Sequence, residues 1–311
     1  MIKDPIHAKI EAFGSHLTLP IVQKALGNLK GEHISNQYGH GYDYLDLRPY
    51  EPGDEAQLID WKASGRAGRP IIINKQREVN STIWLMLDVS SQMSASARSG
   101  ETLLTVAANA LRMFALLSLK RSDNISLVLA DSKTITRIPF TGGYPKFDHT
   151  LTDALSSLHP APRDMASLLR YAESIHSRHS LVVIATDDSA MDARHEKMIS
   201  AIAQDHPFVF ISVEPVNPFD PANTRVQDAR NGKYMPAFLK SNSRAAEIDA
   251  RSEVLALAFD RALTREGATL LRGSSSDDML NHFIRLVSTR QNSPHPHQAS
   301  LLPRLGDSLR K

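Results

Sequence analysis

Four short apolar runs constrain this chain more than any other feature: "STIWLMLDVSS" from residue 81, "NISLVLAD" at 124–131, "SLVVIATDD" at 180–188 and "HPFVFISVEP" at 206–215. Each is too short to cross a membrane as a helix and too uniformly apolar to have one wet face, which is the pattern of strands buried on both sides. Helical text separates them: residues 102–119, "MASLLRYAESIHS" and "DARHEKMISAIAQ". The alternation predicts an α/β fold, a doubly wound and mostly parallel sheet with helices on both faces. Downstream, Asn231-Gly232 between two short runs predicts a hairpin. A long helix over about 238–266, a strand "ATLLRG" and a helix "SDDMLNHFIRLVSTR" add a further α/β unit.

The chain divides by texture. Residues 1–30 read as an N-terminal helical arm, with Leu17, Ile21, Val22, Leu26 and Leu29 near helical spacing and breaks at Pro20 and Gly27. Residues 31–78, rich in Gly, Asp, Tyr and Pro, read as a brace of loops and short strands that ends in the apolar run "PIIINKQREV". Residues 79–290 hold the α/β domain, and the Pro- and Ser-rich 291–311 reads as a mobile tail. The segment "TLLTVAANALRMFALLSLK" carries Asn109 and Arg112, so a buried core helix is expected there and no membrane span. The opening residues lack the apolar run of a secretory leader, and the chain has no cysteine. A reducing, cytoplasmic setting is therefore expected. A net charge of +2 and basic clusters as short as "KQR" at 75–77 and "SGRAGR" at 64–69 argue against a nucleic-acid partner.

In doubly wound sheets ligands gather beyond the carboxyl ends of the strands. Two such ends are polar here: Asp88, Ser90, Ser91 and Gln92 after the run at 82–87, and Thr186, Asp187 and Asp188 after the run at 181–185. Carboxylates and hydroxyls in that arrangement suit Mg²⁺, and they equally serve as helix caps. "DVSSQM" with the later "ATDD" resembles the von Willebrand factor type A fold, a Rossmann-type architecture whose metal-ion-dependent adhesion site begins Asp-x-Ser-x-Ser. Upstream, Arg48-x-Tyr50-x-x-Gly53-Asp54, then Ile59-Asp60-Trp61 and Ser64-x-Arg66, is similar to the signature of the domain of unknown function 58 family. The resemblance covers about residues 15–290. It implies a bacterial or archaeal protein linked to a MoxR-type AAA+ ATPase, with a chaperone-like or assembly role on an unassigned client.

The same resemblance sets out a metal site and its defects. Asp88 and Ser90 match the first two ligand positions and Asp187 the carboxylate of the later strand, but Gln92 stands where a second serine belongs. The remaining ligand of the family is a threonine on a loop before a helix. One register puts Arg163 there; another would use Thr141, Thr150 or Thr152. A guanidinium between Asp88 and Asp187 would supply the charge a cation otherwise brings. The expectation is a degenerate site with no required cofactor and weak Mg²⁺ binding at most, the alternative being a functional Mg²⁺-dependent adhesion site.

The signature segment has its own chemistry. Pro52-Gly53-Asp54 is a turn. Arg48, Asp54, Asp60 and Arg66 offer two ion pairs, and Tyr50 and Trp61 offer anchors against the α/β body. This predicts either a structural brace or a partner surface on which acidic loops meet Arg48, Arg66 or Arg69. Catalysis is not expected. The chain has no Gly-x-Ser-x-Gly elbow, no phosphate loop and no Gly-x-Gly-x-x-Gly, and no histidine is placed to activate Ser90 or Ser91 beside Asp187. His176, His179, His295 and His297 read as surface residues rather than zinc ligands. A non-enzymatic, cytoplasmic adaptor is the expected function.

Overall fold

The computed structural model describes residues 5–16, 38–51, 59–76, 82–177, 180–192, 194–223, 226–228 and 233–289. It is a mixed α/β structure with a mostly parallel six-stranded sheet and, among the described residues, eight α-helices. The sheet contains β3 (Thr82–Asp88), β4 (Asn124–Ala130), β5 (Ile135–Phe140), β6 (Leu181–Asp187), β7 (Phe208–Val213) and β8 (Thr269–Gly273) in the order β5-β4-β3-β6-β7-β8. Only β5 runs antiparallel. From β3 the chain moves outward to β4 and β5, then returns to β6 on the other side, so the direction of winding reverses between β3 and β6. That reversal opens a crevice at the carboxyl ends of these two strands.

The four apolar runs are β3, β4, β6 and β7, and their side chains alternate between two cores. Ile83, Leu85 and Leu87 join one core with α1 (Pro5–His16), α3 (Leu103–Lys120), α4 (Tyr144–Ser156) and α8 (Ser276–Thr289). Trp84 and Met86 join the other with α5 (Met165–Glu173), α6 (Glu196–Asp205) and the end of α7 (Asn242–Arg265). The apolar helix α3 is central to the first core and 78% buried. Its buried Arg112 and Asn109 are satisfied internally: Arg112 bonds Asp148 at 2.6 Å, Thr152 at 2.9 Å and Asn109 at 3.0 Å, while Asn109 donates to Ser276 at 2.9 Å. The ring of Phe114 meets Phe283 edge-on, centroids 5.0 Å apart.

The structure departs from the sequence reading in three places. Within residues 31–78, expected as loops and short strands, β1 (Tyr38–Pro49) runs for twelve residues antiparallel to β2 (Ile71–Gln76) in a separate two-stranded sheet. The pattern Tyr42-Asp43-Tyr44 followed by Leu45-Asp46-Leu47 alternates but changes phase between Tyr44 and Leu45. The ladder shifts register at that point, between Tyr44 and Asp46. Strand β5 escaped notice because it is an edge strand with exposed residues and a proline. Helix α4 was missed because Pro145 and the polar stretch around Asp148 mask its apolar face of Tyr144, Phe147 and Leu151.

Of the arm at 1–30, only α1 lies within the described residues, and the tail at 291–311 lies outside them. Asn231 and Gly232 also lie outside, flanked by arms that pair antiparallel through Gln227 and Tyr234.

Candidate functional site

The site is built by three loops at the β3–β6 crevice. Asp88 ends β3 with its side chain turned back into its own loop, where Oδ1 accepts from the Ser90 amide at 2.9 Å. Asp187 ends β6 in the same way, its Oδ1 accepting from the amide and hydroxyl of Ser189 at 2.7 and 2.5 Å. The third loop, just before α5, carries Arg163. Its Nε donates to Asp88 Oδ2 at 2.6 Å, and its Nη2 donates to Asp187 Oδ2. Thr186 also donates to Asp88 Oδ2, at 2.7 Å. All three charged side chains are nearly removed from solvent, at 3%, 2% and 11% exposure for Asp88, Asp187 and Arg163.

The loop bearing Arg163 is tied to its neighbours through the backbone. Ser91 N donates to Ala161 O and Ser132 N to Pro162 O, both at 2.8 Å. Ala161 N donates to Asp131 Oδ2 at 3.1 Å, and Arg163 N donates to the Gln92 side-chain oxygen at 3.1 Å. Asp164 then caps α5 through the amide of Ser167. Gln92, read from sequence as a poor metal ligand, therefore holds the backbone of the residue that fills the crevice. Asp131 was not singled out from sequence, although "VLAD" ends a strand on the same residue type as β3 and β6 do. Thr150 and Thr152 lie on α4, bonded to Lys146 O and Arg112, and Thr141 is exposed before that helix.

Burial disfavours the Arg163 charge, and the adjacent Asp187 and Asp88 outweigh it, holding the guanidinium above its ordinary pKa. Burial pushes the Asp131 carboxyl up, but amides of Thr134, Lys133 and Ala161 bond its ionised form and bring it below the usual range. Asp164 is lowered by its side-chain and backbone bonds to Ser167. A carboxyl lowered by folding contributes stability above its unfolded pKa of about 3.9 and loses it as pH falls through the folded value. Urea titrations at pH 7, 4 and 3 should therefore show stability falling below pH 4, and less steeply in an Asp131→Asn variant.

As arranged, these residues do not fit a divalent cation. The guanidinium occupies the Oδ2 atoms that face each other across the crevice, and Gln92 is spent on the Arg163 amide. Asp188, adjacent in sequence, turns away to Arg272 at 2.8 Å and Ser212 at 2.5 Å. The Ser90 hydroxyl is buried with no hydrogen-bond partner, and no histidine among the described residues bonds it. His176 is exposed, and His179, His295 and His297 lie outside the described residues.

The signature segment separates into two roles. Asp60 caps α2 (Trp61–Ala67), its Oδ1 accepting from the amides of Lys62 and Ala63 at 2.8 and 3.0 Å. Expected from sequence as a member of one of two ion pairs among Arg48, Asp54, Asp60 and Arg66, it serves as a helix cap. The Ser64 hydroxyl accepts from Ile71 N at 2.8 Å and donates to Asp60 O at 2.6 Å, fastening α2 to β2. Gly68 ends the helix at φ +66°, a conformation glycine adopts without strain. Trp61, expected to anchor the segment, is 73% exposed, and Lys62, Arg66, Arg69 and Tyr50 are exposed as well. The backbone of Arg48 pairs with Ile72 in the ladder, and Gly53 and Asp54 lie outside the described residues.

A family model described as protein of unknown function DUF58 matches residues 46–266. Uncharacterized proteins of Mycobacterium tuberculosis and Mycobacterium bovis are 26% identical over 303 residues, covering 93% of this chain and 92% of theirs. Among solved structures, the conserved hypothetical protein BatB from Bacteroides thetaiotaomicron aligns with 68% of this chain and 100% of its own, at 11% identity and a TM-score of 0.42. An aerotolerance-related membrane protein from Bacteroides fragilis aligns with 67% of this chain and 99% of its own, at 12% identity and the same TM-score.

Proposed function

We propose that this chain, which belongs to the DUF58 family of proteins of unknown function, is a non-enzymatic interaction adaptor whose adhesion-type site is closed by an arginine in place of a metal. One observation carries this reading: Arg163 bridges Asp88 and Asp187, so the crevice offers no open coordination position. The von Willebrand A-like character of the α/β domain rests on the strand-end motif and the reversal of winding beside it. Partnership with a MoxR-type AAA+ ATPase, a chaperone-like role on a client and a cytoplasmic location follow from the sequence resemblance.

The exposed face of α2 supports the partner-surface reading of the signature. A tryptophan held 73% in solvent beside Lys62, Arg66 and Arg69 costs hydrophobic free energy until it is covered, and Trp and Arg are the residue types that dominate protein interfaces. Trp61→Ala and Arg69→Ala should each weaken ATPase capture by roughly 30-fold, the size of a 2 kcal/mol hot spot, with unchanged thermal unfolding. A fall in melting temperature with capture intact would return the segment to a purely structural role.

The adaptor reading is tested by capturing the tagged full-length chain from native extract with Mg²⁺ and with EDTA, alongside calorimetric titration of Mg²⁺ alone. Recovery of an AAA+ ATPase in both arms, with no site-specific heat, supports it. A second reading, a Mg²⁺-dependent binding module, is favoured by the unpartnered Ser90 hydroxyl beside Asp88. Capture that requires Mg²⁺, together with heat from the site, would select that reading.

A further inference from the structure

We infer that the outward face of α7 pairs with the same face of a second copy of this chain, antiparallel and about a two-fold axis beside Val254. This goes beyond the adaptor reading and uses none of its residues. The inward face of α7 is already occupied. Ala245 and Leu263 are buried, Ile248, Ser252 and Ala256 are half-buried, and Phe259 meets Phe210 of β7 edge-on, ring centroids 5.1 Å apart. With about 3.6 residues per turn, the opposite face carries Glu247, Ala250, Val254, Ala258 and Arg261, and Arg251 and Leu257 flank it. All are exposed, and Val254 and Leu257, at its middle, are 65% and 47% exposed. Apolar side chains at the centre of a solvent face cost free energy until they are covered.

The charges on this face identify the occupant. Glu247, Val254 and Arg261 stand seven residues apart, the repeat that keeps one seam facing a partner helix. Turned about Val254, the stripe is complementary to itself: Glu247 of each copy meets Arg261 of the other, and Val254 meets Val254 on the axis. A parallel pair would instead set glutamate against glutamate and arginine against arginine. Among the described residues no ion pair or side-chain hydrogen bond engages Glu247, Arg251 or Arg261, so pairing breaks no existing contact. The neighbouring charges Asp249, Glu253 and Arg265 are committed to Arg98, Arg272 and Glu196, and Asp260 lies off the stripe.

Side-chain size fits the same axis. In the antiparallel pair Leu257 of one copy comes over Ala250 of the other, so a large residue meets a small one and the helices can close. Arg251 comes over Ala258, where its stem covers the methyl group and its charge stays in water. The contact is one helix wide, well below a standard interface, so a weak, micromolar dimer is expected.

Sedimentation equilibrium of the full-length chain tests this. The parent should dimerise at micromolar to submillimolar concentration, and Glu247→Arg and Arg261→Glu should each weaken the dimer at least ~10-fold, because the axis repeats every change. Mixing the two variants should restore association, since one copy then presents only arginines to the glutamates of the other. A chain that stays monomeric at submillimolar concentration, or a dimer indifferent to both reversals, would overturn the proposal. The absence of native cysteine gives a second reading. Under mild oxidation Val254→Cys should form disulfide-linked dimers at least ~10-fold faster than Ser156→Cys, exposed at the end of α4, because pairing raises the effective concentration of the two thiols. Equal rates would equally overturn it.

Discussion

Replacing Arg163 by alanine should cost about 3–5 kcal/mol, the range for removing one partner of a buried ion pair and leaving the other charge uncompensated. Two carboxylates with almost no exposure would then face each other across the crevice, and the loop before α5 would lose its contacts to both strand ends. For a chain of this size the melting temperature should fall by roughly 6–15 °C in differential scanning calorimetry. Lysine should rescue only partly, because an ammonium cannot reach both carboxylates with the fixed fork of a guanidinium. Millimolar Mg²⁺ should raise the melting temperature of the alanine variant and leave the parent protein unmoved, since only the variant has room for a cation among Asp88, Ser90 and Asp187. A stabilisation of the parent by Mg²⁺ that Asp88→Ala abolishes would count against the closed-site reading.

Arg112→Ala should match that effect, about 3–5 kcal/mol by the same argument, but from inside the core. The guanidinium of Arg112 is 5% exposed and joins α3 to α4 through Asp148 and Thr152, while Asn109 extends the bonding to Ser276 at the start of α8. Its loss leaves the half-buried Asp148 with only His7, at 3.5 Å, and removes a donor from the buried Asn109 side-chain carbonyl. A double replacement, Arg112→Met with Asp148→Leu, should recover most of the loss, because apolar side chains of similar volume need no pairing. Urea unfolding of the three variants checks this. Equal destabilisation by the single and double changes would mean that the bonds themselves, rather than the stranded charge, carry the cost.

The parallel sheet was legible because its central strands are buried on both faces and therefore apolar throughout; no other structure suits such runs between amphipathic helices. Edge structure was not legible for the converse reason. In β5, Arg137 and Pro139 are tolerated because one side of the strand is open, so its text loses the strand signature. Strand β1 hid behind glycines and a phase change that only the ladder reveals as a register shift.

At the crevice, sequence named Asp88 and Asp187 because strand-end acids are local features, and Arg163 came from one register of the family resemblance, which left Thr141, Thr150 and Thr152 open. The tasks of Gln92 and Asp131 depend on which backbone amide lies opposite them. Those amides belong to Arg163 and Ala161, 71 and 30 residues further along the chain. Trp61 shows the limit from the other side: an aromatic in a loop-rich stretch reads as an anchor, and only the position of α2 on β2 shows that it points outward.

The bridge at the crevice also has a place in time. Asp88, Arg163 and Asp187 come together only after β6 has paired with β3, and that parallel pairing joins segments about a hundred residues apart. Loop-closure entropy makes such contacts late ones, formed once neighbouring structure has already been won. An interaction absent from the transition state lowers the unfolding rate without changing the folding rate. The arginine therefore acts as a kinetic fastening: in stopped-flow experiments its removal should speed unfolding by about two to four orders of magnitude, as expected of about 3–5 kcal/mol, and leave refolding nearly unchanged. That rate sets how long the folded α/β domain survives.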